Sequence, residues 1–145
     1  MTKNLTPSVH DSEIKSLVQK FGSNDPRERV DAREQLSSLG DAAVDEIVKA
    51  FTDERRQVRW EAANCLRAIG SPRAIPALIK EMEESNCDVG WLASEALLAT
   101  GESSLTPVLK SLTANKHHDL GHLYNHAHHI IRTFACREKY QITST

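Results

Sequence analysis

The sequence predicts an all-α fold: an α-α superhelix of about eight helices in four antiparallel pairs, stacked side by side as a solenoid. Three observations carry that expectation. Residue types recur around Gly40, Gly70 and Gly101 at spacings of thirty and then thirty-one residues. Leu36, Leu66 and Leu97 lie four positions before their glycine, and Ala32, Ala62 and Ala93 lie eight before. Trp60 and Trp91 match ten before, Val58 and Val89 match twelve before, and Pro76 and Pro107 match six after. Such a period, filled with helical patterning, marks stacked helix pairs. Secondly, each segment has a single apolar stripe, and the glycine turns joining them are so short that paired helices must run antiparallel. Thirdly, 39% of the chain is hydrophobic but only 5% aromatic, so Ala, Leu, Ile and Val supply the core.

The elements can be justified in order. Ile14, Leu17, Val18 and Phe21 share one face of a first helix that Gly22 stops. Asp25 as N-cap, Pro26 in the first helical position and Glu28 at capping-box spacing open the second, which Gly40 ends. The third follows from Asp41, with Val44, Ile47, Val48 and Phe51 inward. The fourth begins after Asp53 and carries Val58, Ala62, Leu66 and Ile69. Ser71-Pro72 opens the fifth, but Pro76 places its regular hydrogen bonding only near there, because proline is tolerated only in a first turn. Val89, Ala93 and Leu97 define the sixth helix; Leu105, Val108, Leu109 and Leu112 define the seventh. All 145 residues form one domain: a capping helix over about 11–22, repeats over 24–52, 53–84 and 86–114, a closing helix over 118–137 and a polar tail over 138–145.

Composition narrows the function classes. The net charge is −2 and the signs are mixed, which argues against nucleic acid and against a polybasic membrane patch. No apolar run is long enough to span a bilayer, and the first ten residues lack the apolar core of a secretory signal. Three cysteines without C-x-x-C spacing point to a reducing cytoplasm, with Cys65 a small buried residue in a repeat slot. The glycines are isolated helix stops rather than a phosphate loop, and no H-E-x-x-H or G-x-S-x-G occurs. No enzyme is expected.

The strings "DERRQVRWEAANCLRAIGSPRAIPALIKEM" and "CDVGWLASEALLATGESSLTPVLKSL" resemble HEAT repeats, specifically the short prokaryotic kind grouped with phycobilisome-lyase HEAT-like repeats. The pattern V-R-x-x-A-A-x-x-L-x-x-I-G, followed by a proline-bearing helix, carries the likeness over about 24–112. The resemblance implies a HEAT-like solenoid that binds another protein or acts as a scaffold. Two positions depart from the pattern: Glu28 stands where the other repeats have Val58 and Val89, and Gly90 replaces the arginine at Arg59. Bilin attachment, as in lyase subunits, is a weaker implication carried by fold analogy alone.

Two sets of residues are candidate sites. Trp60, Trp91 and Arg59 lie in the first helix of their pairs, and Lys49, Lys80 and Lys110 on the second helices, where exposed side chains of stacked repeats meet partners. The plainer reading of the tryptophans is packing at repeat junctions, and that of the charge-mixed second helices (Asp45, Glu46 and Lys49; Lys80 and Glu81; Lys110 and Ser111) is a solvated face. The other set is histidine. Six of seven histidines fall between His117 and His129. His118, His122, His126 and His129 fall within an arc of about 80° on a helix, with Leu120, Leu123, Ala127, Ile131 and Phe134 opposite. Pairs four apart suit Zn²⁺ or Ni²⁺, and unperturbed imidazoles titrate in the physiological range. The plainer reading is a solvated histidine-rich face, with His128 packed in the slot of Leu66 and Leu97. No cofactor is otherwise expected, and a weak Zn²⁺ or Ni²⁺ site or a pH-responsive element is the alternative to a protein-binding module.

Overall fold

A computed structural model describes residues 9–84, 88–114 and 121–142 of the chain. Among them are eight α-helices and no strand. They are α1 Val9–Gln19, α2 Pro26–Leu39, α3 Asp41–Lys49, α4 Arg56–Ile69, α5 Ile75–Glu84, α6 Asp88–Ala99, α7 Leu105–Ala114 and α8 Gly121–Ile142. Helices α2, α4, α6 and α8 pack side by side in one row. The second row is α1, α3, α5 and α7, and sequence neighbours pair across the two rows. The architecture is the all-α solenoid expected from the repeat register. None of the described helices is long and apolar enough to cross a membrane.

Local chemistry sets the helix ends. Asp25 caps α2, its Oδ1 accepting from the Arg27 N–H at 2.9 Å, and Pro26 takes the first helical position. Glu28 does not close a capping box: its carboxylate accepts from the Ser23 hydroxyl, and that hydroxyl oxygen accepts from the Asp25 N–H at 3.1 Å. Ahead of α4, Asp53 Oδ1 accepts from the Arg55 N–H at 2.9 Å, and its hydrogen bonds with Arg55 hold its pKa down at about 2. Pro72–Ala74 forms a 3₁₀ turn and α5 then begins at Ile75, so Pro76 sits in the first turn, as its missing N–H requires.

Gly70 ends α4 in the left-handed region (φ 66°, ψ 25°), and its N–H donates to the Leu66 carbonyl at 2.9 Å. A Cβ here would stand 2.9 Å from the Ala99 carbonyl oxygen of the next repeat, so this glycine serves both the turn and the stack.

The core is one continuous cluster running through every repeat. Phe21, Leu36, Ile47, Leu66, Leu78, Met82, Leu97, Leu123 and Ile130 are all fully buried within it. Each such side chain contributes roughly 1.5–3 kcal/mol of transfer free energy. The outer faces of the terminal helices are polar: Asp11, Ser12, Lys15 and Gln19 are exposed on α1, and Asn125, His128 and Arg132 on α8. Tyr124, 62% exposed, is the large apolar exception on α8.

The closing repeat differs from the sequence reading. The last helix continues to Ile142, where a polar tail from 138 was expected. Its register also slips. Val89 and Ala93 find their buried counterparts thirty-four residues on, at Leu123 and Ala127, instead of thirty-one. The chain between α7 and α8 is longer than a glycine turn, so nothing holds the thirty-one-residue phase. His128 consequently leaves the leucine slot and is exposed, stacked on Tyr124 with ring centroids 6.0 Å apart. Leu109, expected inward, is 49% exposed.

Candidate partner-binding face

The seam between α2 and α4 is built around one acidic side chain. Glu61 is only 3% exposed. Its Oε1 accepts from Arg29 Nε at 3.1 Å and from Gln57 Nε2 at 3.0 Å, while Oε2 accepts from Arg33 Nη1 at 2.9 Å. A buried carboxylate must be paired to persist, and here two guanidiniums pair it. Arg33 also lies over the Trp60 ring, 5.9 Å from its centroid, so the tryptophan is half-buried at this junction. A cleft of about 430 Å³ opens above these groups, lined by Arg29, Val30, Arg33, Trp60 and Asp88 among others. A second cleft, of about 550 Å³, runs on from Arg33 past Ser37, Asn64 and Arg67. Arg56 closes the first by pairing with Asp88, its Nε 3.0 Å from Oδ1.

Arg59 has an internal task. Its Nη1 donates to the Asp53 and Glu54 carbonyls, both at 2.8 Å, and its Nε stands 3.9 Å from Glu81. Arg29, one repeat earlier, donates in the same way to the Ser23 carbonyl at 2.7 Å. Each arginine clips the connector ahead of its own helix. Gly90 has no side chain for this, which gives the irregular arginine ladder a structural reading.

On the other row, Lys49, Lys80 and Lys110 are exposed on α3, α5 and α7; Lys49 and Lys110 share a register, and Lys80 stands one position farther on. Lys49 pairs with Glu46 at 2.6 Å, and that hydrogen bond raises its pKa. Glu81 and Ser111, expected on this solvated face, are buried instead. Burial pushes the Glu81 pKa up, against the pull of Arg59.

Of the described histidines on the candidate face of α8, His126 is buried and His122 and His129 are half-buried. That face turns inward against α5 and α6. Trp91 is 44% exposed, with its ring 4.4 Å from that of His129 and 6.1 Å from that of His126. His129 Nε2 lies 2.7 Å from Glu95 Oε1, and His122 Nε2 donates to the Glu83 carbonyl at 2.9 Å. His126 is only 7% exposed, and its Nδ1 has no hydrogen-bond partner. Burial pushes its pKa down, opposed by a hydrogen bond with the Met82 backbone and assisted by His122 and His129. Among the described residues no group of three or more His, Cys, Asp or Glu is placed to hold a metal ion. His118 lies outside the described residues. Cys136 is exposed. Cys65 is buried as expected, and burial raises its thiol pKa to about 11, so it is an inert core residue.

Sequence reasoning missed Glu61. Its signal was present: an acidic residue three positions after Val58 and beside Ala62, inside the apolar stripe, facing Arg29 and Arg33 one repeat earlier.

A family model described as HEAT repeats matches residues 14–89. No curated protein matches the chain. The matched span takes in the paired helices from α1 to the start of α6, including the glycine-ended turns and the Glu61 seam, and it covers just over half of the sequence. The chain belongs to the HEAT-repeat family.

Proposed function

We propose that this protein is a non-enzymatic binding module that engages another protein through the row of α2, α4 and α6. HEAT repeats in general mediate protein–protein contacts or scaffolding, and as a family they are generally not enzymes. One observation carries the choice of face. Val30 and Trp91, two of the exposed large apolar side chains, flank Trp60 in a single repeat register beside an open cleft. A half-buried tryptophan beside arginine, with a second, exposed tryptophan one repeat on, is the composition of interface hot spots. Lys80 and Lys110 on the opposite row are compatible with the same partner wrapping around the array, whereas Arg59 contributes by fixing the connector.

Photo-crosslinking in the source cell tests the reading. A benzophenone side chain replacing Val30 or Trp91 is expected to give adducts with a second polypeptide, and one replacing Tyr124 is expected to give none. Adducts from neither face position, or equal adducts from all three, would remove it.

A second reading concerns α8. The buried, half-satisfied His126 between Trp91 and Met82 supports a pH-responsive closing helix. A Zn²⁺ or Ni²⁺ site is less well supported, because one nitrogen each of His122 and His129 is already engaged. Calorimetric titration with Zn²⁺ that shows tight binding, lost on His122→Ala and His126→Ala, would reverse that order. Likeness to phycobilisome-lyase repeats supports a bilin-lyase accessory role only through the fold.

A further inference from the structure

The cleft above Glu61 carries the guanidinium groups of Arg29 and Arg33 in its lining. Both arginines are held in place by a carboxylate beneath them, so their orientation is set before any ligand arrives. One buried negative charge supports two positive ones, which leaves an excess of positive charge at the groove's waist. Arg29 uses Nε and Nη1, and Arg33 uses Nη1, so donors on the fork of each remain for an incoming oxygen.

Farther along the same groove, Arg67 is exposed and has no ion-pair partner among the described residues. Beside the arginines stands an apolar platform, with the Arg33 guanidinium 5.9 Å from the Trp60 ring centre. In an extended chain, side chains two residues apart share a face at about 6.6 Å. An acidic and an apolar residue with that spacing match Arg33 and Trp60. The groove follows the 14-residue α4, about 21 Å long, which about six extended residues cover. A nucleic acid fits less well, because Asp31 and Glu34 are exposed on α2 and Asp88 lines the cleft.

We propose that the α2–α4 groove binds an extended acidic segment of a partner protein, one carboxylate seated on Arg29 and Arg33 and an apolar side chain two residues away on Trp60. This rests on the protein-binding reading above and specifies the chemistry of that partner.

The test is calorimetric titration of the intact protein with the capped hexapeptide Leu-Ser-Glu-Ser-Glu-Ser, whose leucine, first glutamate and second glutamate follow the order Trp60, Arg33, Arg67 along the groove. Its controls are the counterpart with lysine in place of glutamate and a short oligouridine. The acidic peptide is expected to bind, more weakly as salt rises, and the other two are not. Arg33→Gln and Arg67→Glu are each expected to weaken it about tenfold, the scale of a lost charge-assisted hydrogen bond. If Arg33→Gln does not fold by circular dichroism, Arg67→Glu decides alone, since Arg67 is exposed and unpaired among the described residues. No binding of the acidic peptide overturns the inference. So does equally tight binding of either control, or an Arg67→Glu variant of unchanged affinity. Crosslinked adducts at Val30 and Trp91 without peptide binding would remove this inference and leave the protein-binding reading standing. Absent adducts would remove that reading itself.

Discussion

Two seams in the first row do the same job with different chemistry. Between α2 and α4, Glu61 is locked by Arg29, Arg33 and Gln57. Between α6 and α8, the contacts are Trp91 against two imidazoles and His129 with Glu95. The first is built from carboxylate, guanidinium and amide groups; the second from indole and imidazole rings with one carboxylate at the edge. A repeat array needs apolar complementarity at every seam. The polar groups at its margin are free to vary, and they give each seam its own response to conditions.

The largest effect should come from the shared apolar part. Leu66→Ala at the centre of the array is expected to cost about 2–5 kcal/mol, and Leu17→Ala at the terminal repeat less, as read by chemical denaturation. Equal losses would mean that position in the stack does not matter. Next, Glu61→Gln is expected to cost about 2 kcal/mol, because charge-assisted hydrogen bonds to two arginines weaken together. The arginines keep some access to water, which holds the cost below that of a wholly buried pair. His129→Ala in the other seam is expected to cost less than about 1 kcal/mol, since that pair is part-exposed.

The seams should also separate by pH. His126 resists protonation when folded, while the unfolded chain takes up a proton at an ordinary pKa near 6.5. The unfolded state therefore binds more protons, and the stability of the α6–α8 seam falls as pH drops below that value. Hydrogen exchange at α8 is expected to quicken between pH 7 and 5 while α4 stays protected, and His126→Leu is expected to remove the difference. Identical behaviour of both seams would contradict the assignment. The smallest effect is Arg67→Ala, within about 0.5 kcal/mol in stability, since the exposed side chain has no ion-pair partner among the described residues to lose.

The repeat register was legible because glycine turns of fixed length keep it in phase: Leu36, Leu66 and Leu97 are all buried where the spacing puts them. It failed at His128, where the longer connector lets α8 slide and a count of thirty-one no longer finds the core. The tryptophans were assigned to one register correctly, but periodicity does not reveal that Trp60 packs under an arginine of the preceding repeat while Trp91 leans on the following helix. The histidine helix misled for a further reason. An arc of polar residues reads as solvated, yet imidazole is apolar enough to lie 93% covered when a tryptophan and a helix sit above it. Glu61 stands out within its apolar stripe, but the stripe alone does not show why it is buried, because its compensating charges lie about thirty residues away in sequence.

The slip of three residues in the closing helix has a consequence for chain length. The connector ahead of α8 changes the count, yet Leu123 and Ala127 still fill the slots that Val89 and Ala93 fill one repeat earlier. Packing selects which residues face inward, not their distance along the chain. That stretch can therefore gain or lose residues without opening the last seam, whereas one residue added within α4 would turn the side chains beyond it by about 100° and carry Leu66 out of the core.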